Sequence, residues 1–160
     1  MEKVVITTEY PLDKSNGSVV RVKTEIESLK RNGFQNISVI DNFKKNTPKP
    51  TNCLIHAQQL TGRFFGKKKI ITDIHGIAAF ETRAKTREYP FHSWKKWGYY
   101  AKSFQLEKLE NKVWKNSLHL ICASDAIYEK VKNIQSATVV RPSVKINEFS
   151  TTKCNKLRVA

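Results

Sequence analysis

The chain has 160 residues, 39% of them hydrophobic, and carries 29 Lys and Arg residues against 14 Asp and Glu residues. This length allows one domain with a substantial buried core, and the composition excludes a disordered chain. No apolar run approaches the roughly 20 residues that a membrane-spanning helix needs, and the N-terminus has no signal-peptide pattern. The formal net charge of +15 predicts an anionic partner. Composition leaves open whether that partner is nucleic acid, an anionic lipid surface or a phosphorylated small molecule.

The positive charge is concentrated in the middle of the chain. Residues 42–72 contain seven basic residues and no acidic one. Residues 82–106 contain six basic residues, one acidic residue and seven aromatic ones. We therefore expect these two segments to form the surface that meets the anionic partner.

The cysteines give no sign of a disulfide framework or a structural metal. They are three in number and widely spaced, and Cys53 and Cys122 lie inside apolar runs, whereas Cys154 does not. This pattern predicts reduced core thiols and a cytosolic protein.

Short apolar runs alternate with helical patterns along the chain. Strands are predicted at residues 4–6, 37–40, 53–55, 69–74, 118–122 and 138–140. Helices are predicted at residues 19–29, 58–65, 93–115 and 125–131, and a polar loop at 83–93. Continuous apolar strands separated by helices are typical of a parallel sheet covered on both faces. We predict an α/β fold, a Rossmann-like doubly wound parallel sheet with helices on both faces.

Two features lie at the carboxyl ends of predicted strands. His75 and Gly76 follow the fourth strand, and the Asn16-Gly17 turn leads from the first strand into the first helix. Ligands of doubly wound sheets bind at this edge, where the strand order reverses. We therefore expect Gly17 and His75 to line one crevice.

Five segments, in chain order, resemble the N-terminal domain of the GT-B glycosyltransferases, most closely glycosyltransferase family 4. They are the loop ending in Gly17 with the helix VVRVKTEIESLKRNGF, the strand CLIHA, and the segments IITDIHGIAAFE, LHLICASDAIYEKV and ATVVRPSVKINEF. The resemblance covers nearly the whole chain, with two departures. Asn16 stands where the family often has a glycine, and Pro142-Ser143 stand where its closing turn reads Asn-Gly.

The resemblance implies one half of a two-domain enzyme. Residues 1–149 are expected to form the acceptor-side domain, and residues 150–160 a linker and the start of a second, donor-binding domain. The implied activity is that of a nucleotide-sugar-dependent glycosyltransferase of hexosyltransferase type, acting on a hydroxyl acceptor that is a sugar or lipid-linked. The nucleotide sugar is a co-substrate, and no cofactor or metal is expected in this domain. This chain alone is expected to be inactive, because catalysis needs both substrates held together.

His75 is the candidate catalytic residue. In similar enzymes a histidine here contacts the sugar or the reacting hydroxyl, so the resemblance implies an imidazole that orients or polarises its ligand. The alternative is a histidine satisfied by nearby backbone groups. A structural role is assigned to His56, at the end of the third strand, and to His92 and His119.

A second set of residues is assigned to the donor phosphates or the cleft: Asn16, Gly17, Ser18 and Ser124. A glycine at the start of a helix lets a phosphate approach the backbone N–H groups. The alternative for Gly17 is an ordinary Asn-Gly turn, and for Ser124 a serine that caps the following helix.

The segment YPFHSWKKWGYYAKSF, residues 89–104, places Trp94, Trp97 and Phe104 on one face of a predicted helix. Burial of this stripe on the sheet is the favoured interpretation of that face. The surplus of aromatic residues beside lysines is nevertheless typical of a membrane interface. The residues assigned to an acceptor or membrane surface are Arg83, Trp94, Lys95, Lys96 and Trp97. This assignment predicts a cytoplasmic protein, peripheral at the inner face of the cell membrane.

A different class of function is the alternative to an enzyme. A basic Rossmann-like module without catalytic activity could bind nucleic acid or another acidic polymer through the same basic and aromatic residues. The sequence contains no recognised nucleic-acid-binding motif, so nucleic acid is the less favoured partner.

Overall fold

The computed structural model describes residues 3–13, 17–66 and 69–141, without the side chain of Ser18. The strands are β1 (Lys3–Thr7), β2 (Ile37–Ile40), β3 (Cys53–Gln58), β4 (Ile70–Ile74), β5 (His119–Cys122) and β6 (Ala137–Val139). The helices are α1 (Gly17–Arg31), α2 (Ala78–Ala84), α3 (Trp94–Asn116) and α4 (Asp125–Val131), with 3₁₀ turns at Gln59–Phe64 and Lys85–Glu88. The predicted domain boundary at residue 149 lies outside the described residues.

All six strands form one parallel sheet in the order β2-β1-β3-β4-β5-β6. The chain passes from β1 to its neighbour β2, crosses back to β3 on the other side of β1, and then adds strands outward. The order therefore reverses between β1 and β3. This is the topological switch point, where sheets of this kind bind their ligands.

Helices cover both faces of the sheet, as predicted. Successive residues of β4 point to opposite faces. The Thr72 hydroxyl is hydrogen-bonded at 2.7 Å to that of Ser117, directly after α3, whereas Asp73 is bonded to Arg21 of α1. Helices α1 and α3 consequently lie on opposite sides of the sheet, and the predicted α/β fold is confirmed.

The main core lies between the sheet and the helices on the α3 side. Its buried members are Ile74, Ile77, Ala79, Val113, Trp114, Leu120, Cys122, Ile127 and Val131. Burial raises the pKa of the Cys122 thiol to about 11, as expected for a reduced core cysteine. Cys53 is half-buried and free, and Cys154 lies outside the described residues.

The interpretation of residues 89–104 as a buried aromatic stripe is wrong. Trp94 is 77% exposed, Trp97 is 52% exposed and Phe104 is 56% exposed. The buried residues of α3 are Ser103, Glu110, Val113 and Trp114. The apolar ones, Val113 and Trp114, lie in its last two turns, and half-buried Leu106 in the middle of the helix packs against the same core. The helix also packs against α2 and the 3₁₀ turn that follows it.

The prediction of a loop over residues 83–93 is wrong at its start, because α2 and the 3₁₀ turn extend into it. The buried carboxylate of Glu110 on α3 accepts hydrogen bonds from the backbone N–H groups of Ala78 at 2.6 Å and Ala79 at 3.3 Å. These two donors begin α2 and have no acceptor within the helix. A residue thirty positions away therefore stabilises the helix start, and no local pattern reveals it.

Candidate functional site

A cleft opens at the carboxyl edge of the sheet, at the switch point. Its described lining comes from residues at the ends of three strands: Thr8, Glu9 and Tyr10 after β1, Gln58 and Gln59 at the end of β3, and His75 after β4. We predicted that Gly17 and His75 line one crevice at this edge, and of the two only His75 is among the described lining residues.

A buried ion pair joins α1 to β4 beside His75. The guanidinium of Arg21 donates to both carboxylate oxygens of Asp73, from Nε to Oδ2 at 2.9 Å and from Nη2 to Oδ1 at 3.0 Å. The Asp73 side chain is 0% exposed. A carboxylate so fully removed from water needs a paired, hydrogen-bonded cation, and Arg21 supplies it.

Glu25 brings a second carboxyl group, one helical turn after Arg21. It accepts hydrogen bonds from Nε of Arg21 at 3.2 Å and from Nε2 of Gln58 at 2.9 Å. Burial, together with the hydrogen bond and negative charge of Asp73, raises the pKa of Glu25 to about 9. Glu25 is therefore protonated at neutral pH, and the guanidinium is balanced by the single charge of Asp73.

Asp73 is the ionised member of the pair. Burial acts to raise its pKa, but the hydrogen bonds from its three neighbours outweigh burial and hold the pKa of this carboxyl well below its usual range. Nε2 of His75 is one of these partners, 3.1 Å from Oδ2 of Asp73. We call Arg21, Glu25, Gln58, Asp73 and His75 the polar cluster.

Two buried polar atoms next to the cluster have no hydrogen-bond partner among the described residues. They are Nε2 of His56 and Oε1 of Gln58. Burial lowers the pKa of His56, so its ring is neutral, with Nδ1 4.0 Å from Oε2 of Glu25. Gln58 is 4% exposed and lines the cleft. Unsatisfied polar atoms are unusual in a folded protein. Gln58 lines the cleft, so a ligand there could pair with its Oε1, whereas His56 is not among the described lining residues.

The backbone at the cleft is also strained. Gln59 has φ 48°, in the left-handed region that a non-glycine residue adopts at a cost of about 1–2 kcal/mol. It follows the last residue of β3 and turns the chain into the 3₁₀ turn Gln59–Phe64. Strain of this kind is concentrated at functional sites, so it supports the assignment of the cleft.

Glu25, Asp73 and His75 also carry the atom types that bind metal ions, all within 4.8 Å of one another. Arg21, however, donates to both oxygens of Asp73 and places a permanent positive charge among these atoms. A cation would have to displace the guanidinium and overcome its repulsion. The arrangement fits a hydrogen-bonded ion cluster better than a metal site.

None of the residues predicted to bind donor phosphates is among the described residues that line the cleft. Gly17 is the exposed first residue of α1, one turn before Arg21, and is not among the described residues that line the cleft. Asn16 and the side chain of Ser18 lie outside the described part of the chain. The hydroxyl of Ser124 accepts a 3.4 Å hydrogen bond from the N–H of Ile127, so it caps α4 as the alternative reading proposed.

Arg83, predicted to face an acceptor or membrane, is held by its neighbours. It donates to Glu107 at 2.9 Å and to Ser103 at 3.4 Å, and its guanidinium lies 5.1 Å from the ring centre of Phe104. These contacts join α2 to α3. Trp94 and Trp97 are exposed on α3, as is Lys95, while Lys96 is half-buried with its Nζ 5.6 Å from the ring centre of Phe91.

The first half of α3 and the turn before it carry exposed aromatic rings together with lysines. We call this set the aromatic surface, made of Phe91, Trp94, Trp97 and Phe104 with Lys95, Lys96 and Lys102. Phe91 is 71% exposed and packs edge-to-face against Trp97 with ring centres 5.4 Å apart. No helix within the described ranges is both long enough and apolar enough to span a membrane.

No family model matches the sequence, and no curated protein matches it closely enough to count as a relative. The resemblance to glycosyltransferase family 4 therefore stands on the quoted segments alone.

Sequence reasoning missed Arg21, Glu25, Gln58 and Asp73. One signal was available: Asp73 interrupts the apolar run of the fourth strand, and a carboxylate inside a buried strand requires a cationic partner. Arg21 and Glu25 looked like the solvated face of an amphipathic helix. Their spacing of four residues fits an ordinary surface ion pair equally well.

Proposed function

We propose that this chain is the acceptor-side domain of a nucleotide-sugar-dependent glycosyltransferase, which transfers a sugar to a hydroxyl acceptor. The observation that carries the proposal is the cleft at the switch point, where His75 lies with a buried polar atom, Oε1 of Gln58, that has no described partner. The five-segment resemblance to family 4 supports the same conclusion. The nucleotide sugar is the co-substrate, and a lipid-linked hydroxyl is the acceptor that the aromatic surface fits.

The polar atoms of the cleft favour a ligand that donates hydrogen bonds. Oε1 of Gln58 is an acceptor without a described partner, and leaving such an atom unpaired costs about 1–3 kcal/mol. A sugar hydroxyl donates a hydrogen bond and satisfies it, whereas an ionised phosphate can only accept. Glu9 also lines the cleft, and its carboxylate is paired with Arg63 at 3.0 Å. The hydrogen-bonding chemistry of this cleft therefore favours a ligand hydroxyl, and the N-terminus of α1 suits phosphates better.

Sugar transfer by the protein encoded by the native gene tests this function. We expect product from one of a panel of UDP-, GDP- and ADP-hexoses with hydroxyl acceptors, and His75→Ala to lower kcat/KM at least about hundredfold. The matched control is His119→Ala. Its ring nitrogens lie 3.0 Å and 2.9 Å from the hydroxyls of Ser136 and Thr138, which are not among the described lining of the cleft. The control should stay within about twofold of the wild type. Undiminished transfer by His75→Ala would contradict the assignment.

We also propose that the aromatic surface attaches the domain to the inner face of the cell membrane. Exposed aromatic rings beside lysines suit the headgroup region of a bilayer, where each lysine contributes about 1 kcal/mol of attraction to anionic lipid. Residues 82–106 hold a single acidic residue to oppose this attraction. The segment 42–72 adds further basic residues, of which Lys67 and Lys68 lie outside the described part of the chain.

Co-sedimentation with phosphatidylglycerol vesicles measures this attachment. Lys95→Glu with Lys96→Glu should weaken binding and its salt dependence, and Trp94→Ala should weaken it several-fold at all salt concentrations because the ring is exposed. Lys23→Glu with Lys30→Glu, on α1, makes the same charge change elsewhere. Equal loss in both double variants would show that only net charge matters.

Nucleic acid is the competing partner in the same assay. Its binding also weakens with salt, because counterions are released from the phosphates. If duplex or single-stranded nucleic acid displaces the protein from vesicles at equimolar phosphate, the alternative of a basic module that binds nucleic acid is supported. Retention on the vesicles supports the membrane assignment.

A further inference from the structure

Asp73 is fixed in one orientation by Arg21. Each of its two oxygens accepts a hydrogen bond from a different nitrogen of the guanidinium, at 2.9 Å and 3.0 Å. Such a bidentate pair sets the plane of the carboxylate as well as its position. Since Arg21 also bonds Glu25 on α1, the carboxylate is tied to the helix as well as to its own strand.

The fixed carboxylate determines which nitrogen of His75 carries the proton. Asp73 and His75 are two positions apart at the end of β4, so their side chains lie on the same side of the sheet. Oδ2 of Asp73 is 3.1 Å from Nε2 of His75. An ionised carboxylate can only accept hydrogen bonds, so Nε2 must be the donor. In the neutral ring Nδ1 is then left without a proton.

Nδ1 of His75 is the nitrogen that remains for a ligand. The residue lines the cleft with Tyr10 and Gln58, and no described residue is hydrogen-bonded to its Nδ1. The ring is held from one side and is mostly buried, with 13% of the side chain exposed. A ligand hydroxyl in the cleft would therefore meet an acceptor whose direction is already set.

We propose that Asp73, held by Arg21, is a positioning residue that keeps His75 in the Nε2–H tautomer and presents its bare Nδ1 to a ligand hydroxyl. This role deepens the proposed function, since a sugar hydroxyl is the ligand that the cleft fits. The tautomer itself depends on the geometry alone and can be tested without any substrate.

The wild-type test is the nitrogen-15 NMR spectrum of the imidazole rings, recorded where the nitrogen shifts show a neutral His75 ring. The sequence has four histidines, and His75→Gln identifies the signals of His75. A hydrogen bond to a charged group favours one tautomer by at least about tenfold, so Nε2–H should dominate. A mixture of tautomers, or a dominant Nδ1–H form, would overturn the proposal.

Asp73→Asn provides the second measurement. The neutral amide has one acceptor oxygen, and it can stand either at the position of Oδ2, facing Nε of Arg21 and Nε2 of His75, or at that of Oδ1, facing Nη2 of Arg21. In the second orientation the NH₂ group faces Nε2, which must then accept, so the dominance of Nε2–H should give way to a mixture of tautomers. Asp125→Asn, at an exposed carboxylate paired with Arg141, is the matched control and should leave the tautomer unchanged. An unchanged tautomer in folded Asp73→Asn would overturn the proposal, and the wild-type spectrum decides if that variant does not fold.

The two proposals can fail separately. If His75 has the expected tautomer but no nucleotide sugar is turned over by the protein encoded by the native gene, the glycosyltransferase assignment fails and the positioning role stands. If sugar is transferred but the tautomers are mixed, the positioning role fails alone.

Discussion

The polar cluster and the aromatic surface both depart from the usual distribution of side chains: the first buries charged groups, and the second exposes apolar ones. In the polar cluster an arginine and two carboxyl groups are withdrawn from water, and each is hydrogen-bonded to another member. On the aromatic surface large apolar rings lie in water on a helix whose other end is in the core. Burying an ion costs the free energy of removing its water, and an exposed aromatic ring does not gain the free energy of apolar burial. Neither arrangement is the one that stability alone would favour, which supports a role in binding for each.

The largest effect is expected where the buried charge loses its partner. Asp73→Ala leaves the Arg21 guanidinium, 11% exposed, without its main counterion and should lower the free energy of unfolding by about 3–5 kcal/mol. Arg31→Ala breaks an exposed pair with Glu27 and should cost less than about 1 kcal/mol. Urea denaturation measures both. Similar values for the two variants would show that the buried pair is not a structural unit.

Alanine substitutions at two glycines should change stability in opposite directions. At Gly62 a Cβ would lie 2.9 Å from Cγ1 of Val113, so Gly62→Ala overpacks the core and should cost about 1–3 kcal/mol. At Gly98, among the exposed residues of α3, a Cβ meets nothing within 4 Å, so Gly98→Ala should stabilise by about 0.5–1 kcal/mol. Thermal denaturation of both proteins checks the signs. Destabilisation by Gly98→Ala would mean that Gly98 is in contact with another part of the protein and is not exposed to solvent.

A change that depends on pH is expected at Glu25. Because burial and Asp73 raise its folded pKa to about 9, from 4.5, the folded protein holds a proton that the unfolded chain has released. Stability should therefore fall as the pH rises from about 5 to 9. Glu25→Gln imitates the protonated form and should flatten that decline, so its stability relative to the wild type should rise steadily between pH 5 and pH 9.

Unfolding curves at several pH values test the Glu25 prediction. The matched control is Glu129→Gln, at an exposed carboxylate that pairs with Lys132 on the surface. That variant should leave the pH profile unchanged. A parallel decline in wild type and Glu25→Gln would mean that another group binds the proton.

The sequence predicted the sheet well because its strands are short apolar runs, whose burial depends little on the details of their neighbours. It also predicted His75 at a strand end. It could not predict the contacts of Arg21 with Asp73, since these residues are 52 positions apart and meet only when α1 crosses the sheet. The aromatic face of α3 was misjudged for a related reason. Periodicity identifies an apolar face, but tertiary packing decides how much of the helix reaches the core.

Backbone amide shifts measured in two titrations of the nitrogen-15-labelled chain test the central claim, that the two regions bind different ligands. Methyl hexosides should move the amides of residues 8–10, 58–59 and 75, which line the cleft. Phosphatidylglycerol nanodiscs should instead affect residues 91–104. Separate sets of shifted amides are the predicted result. If the glycosides shift only residues 91–104, or both ligands shift the same amides, the division into a polar ligand site and an aromatic membrane surface is wrong.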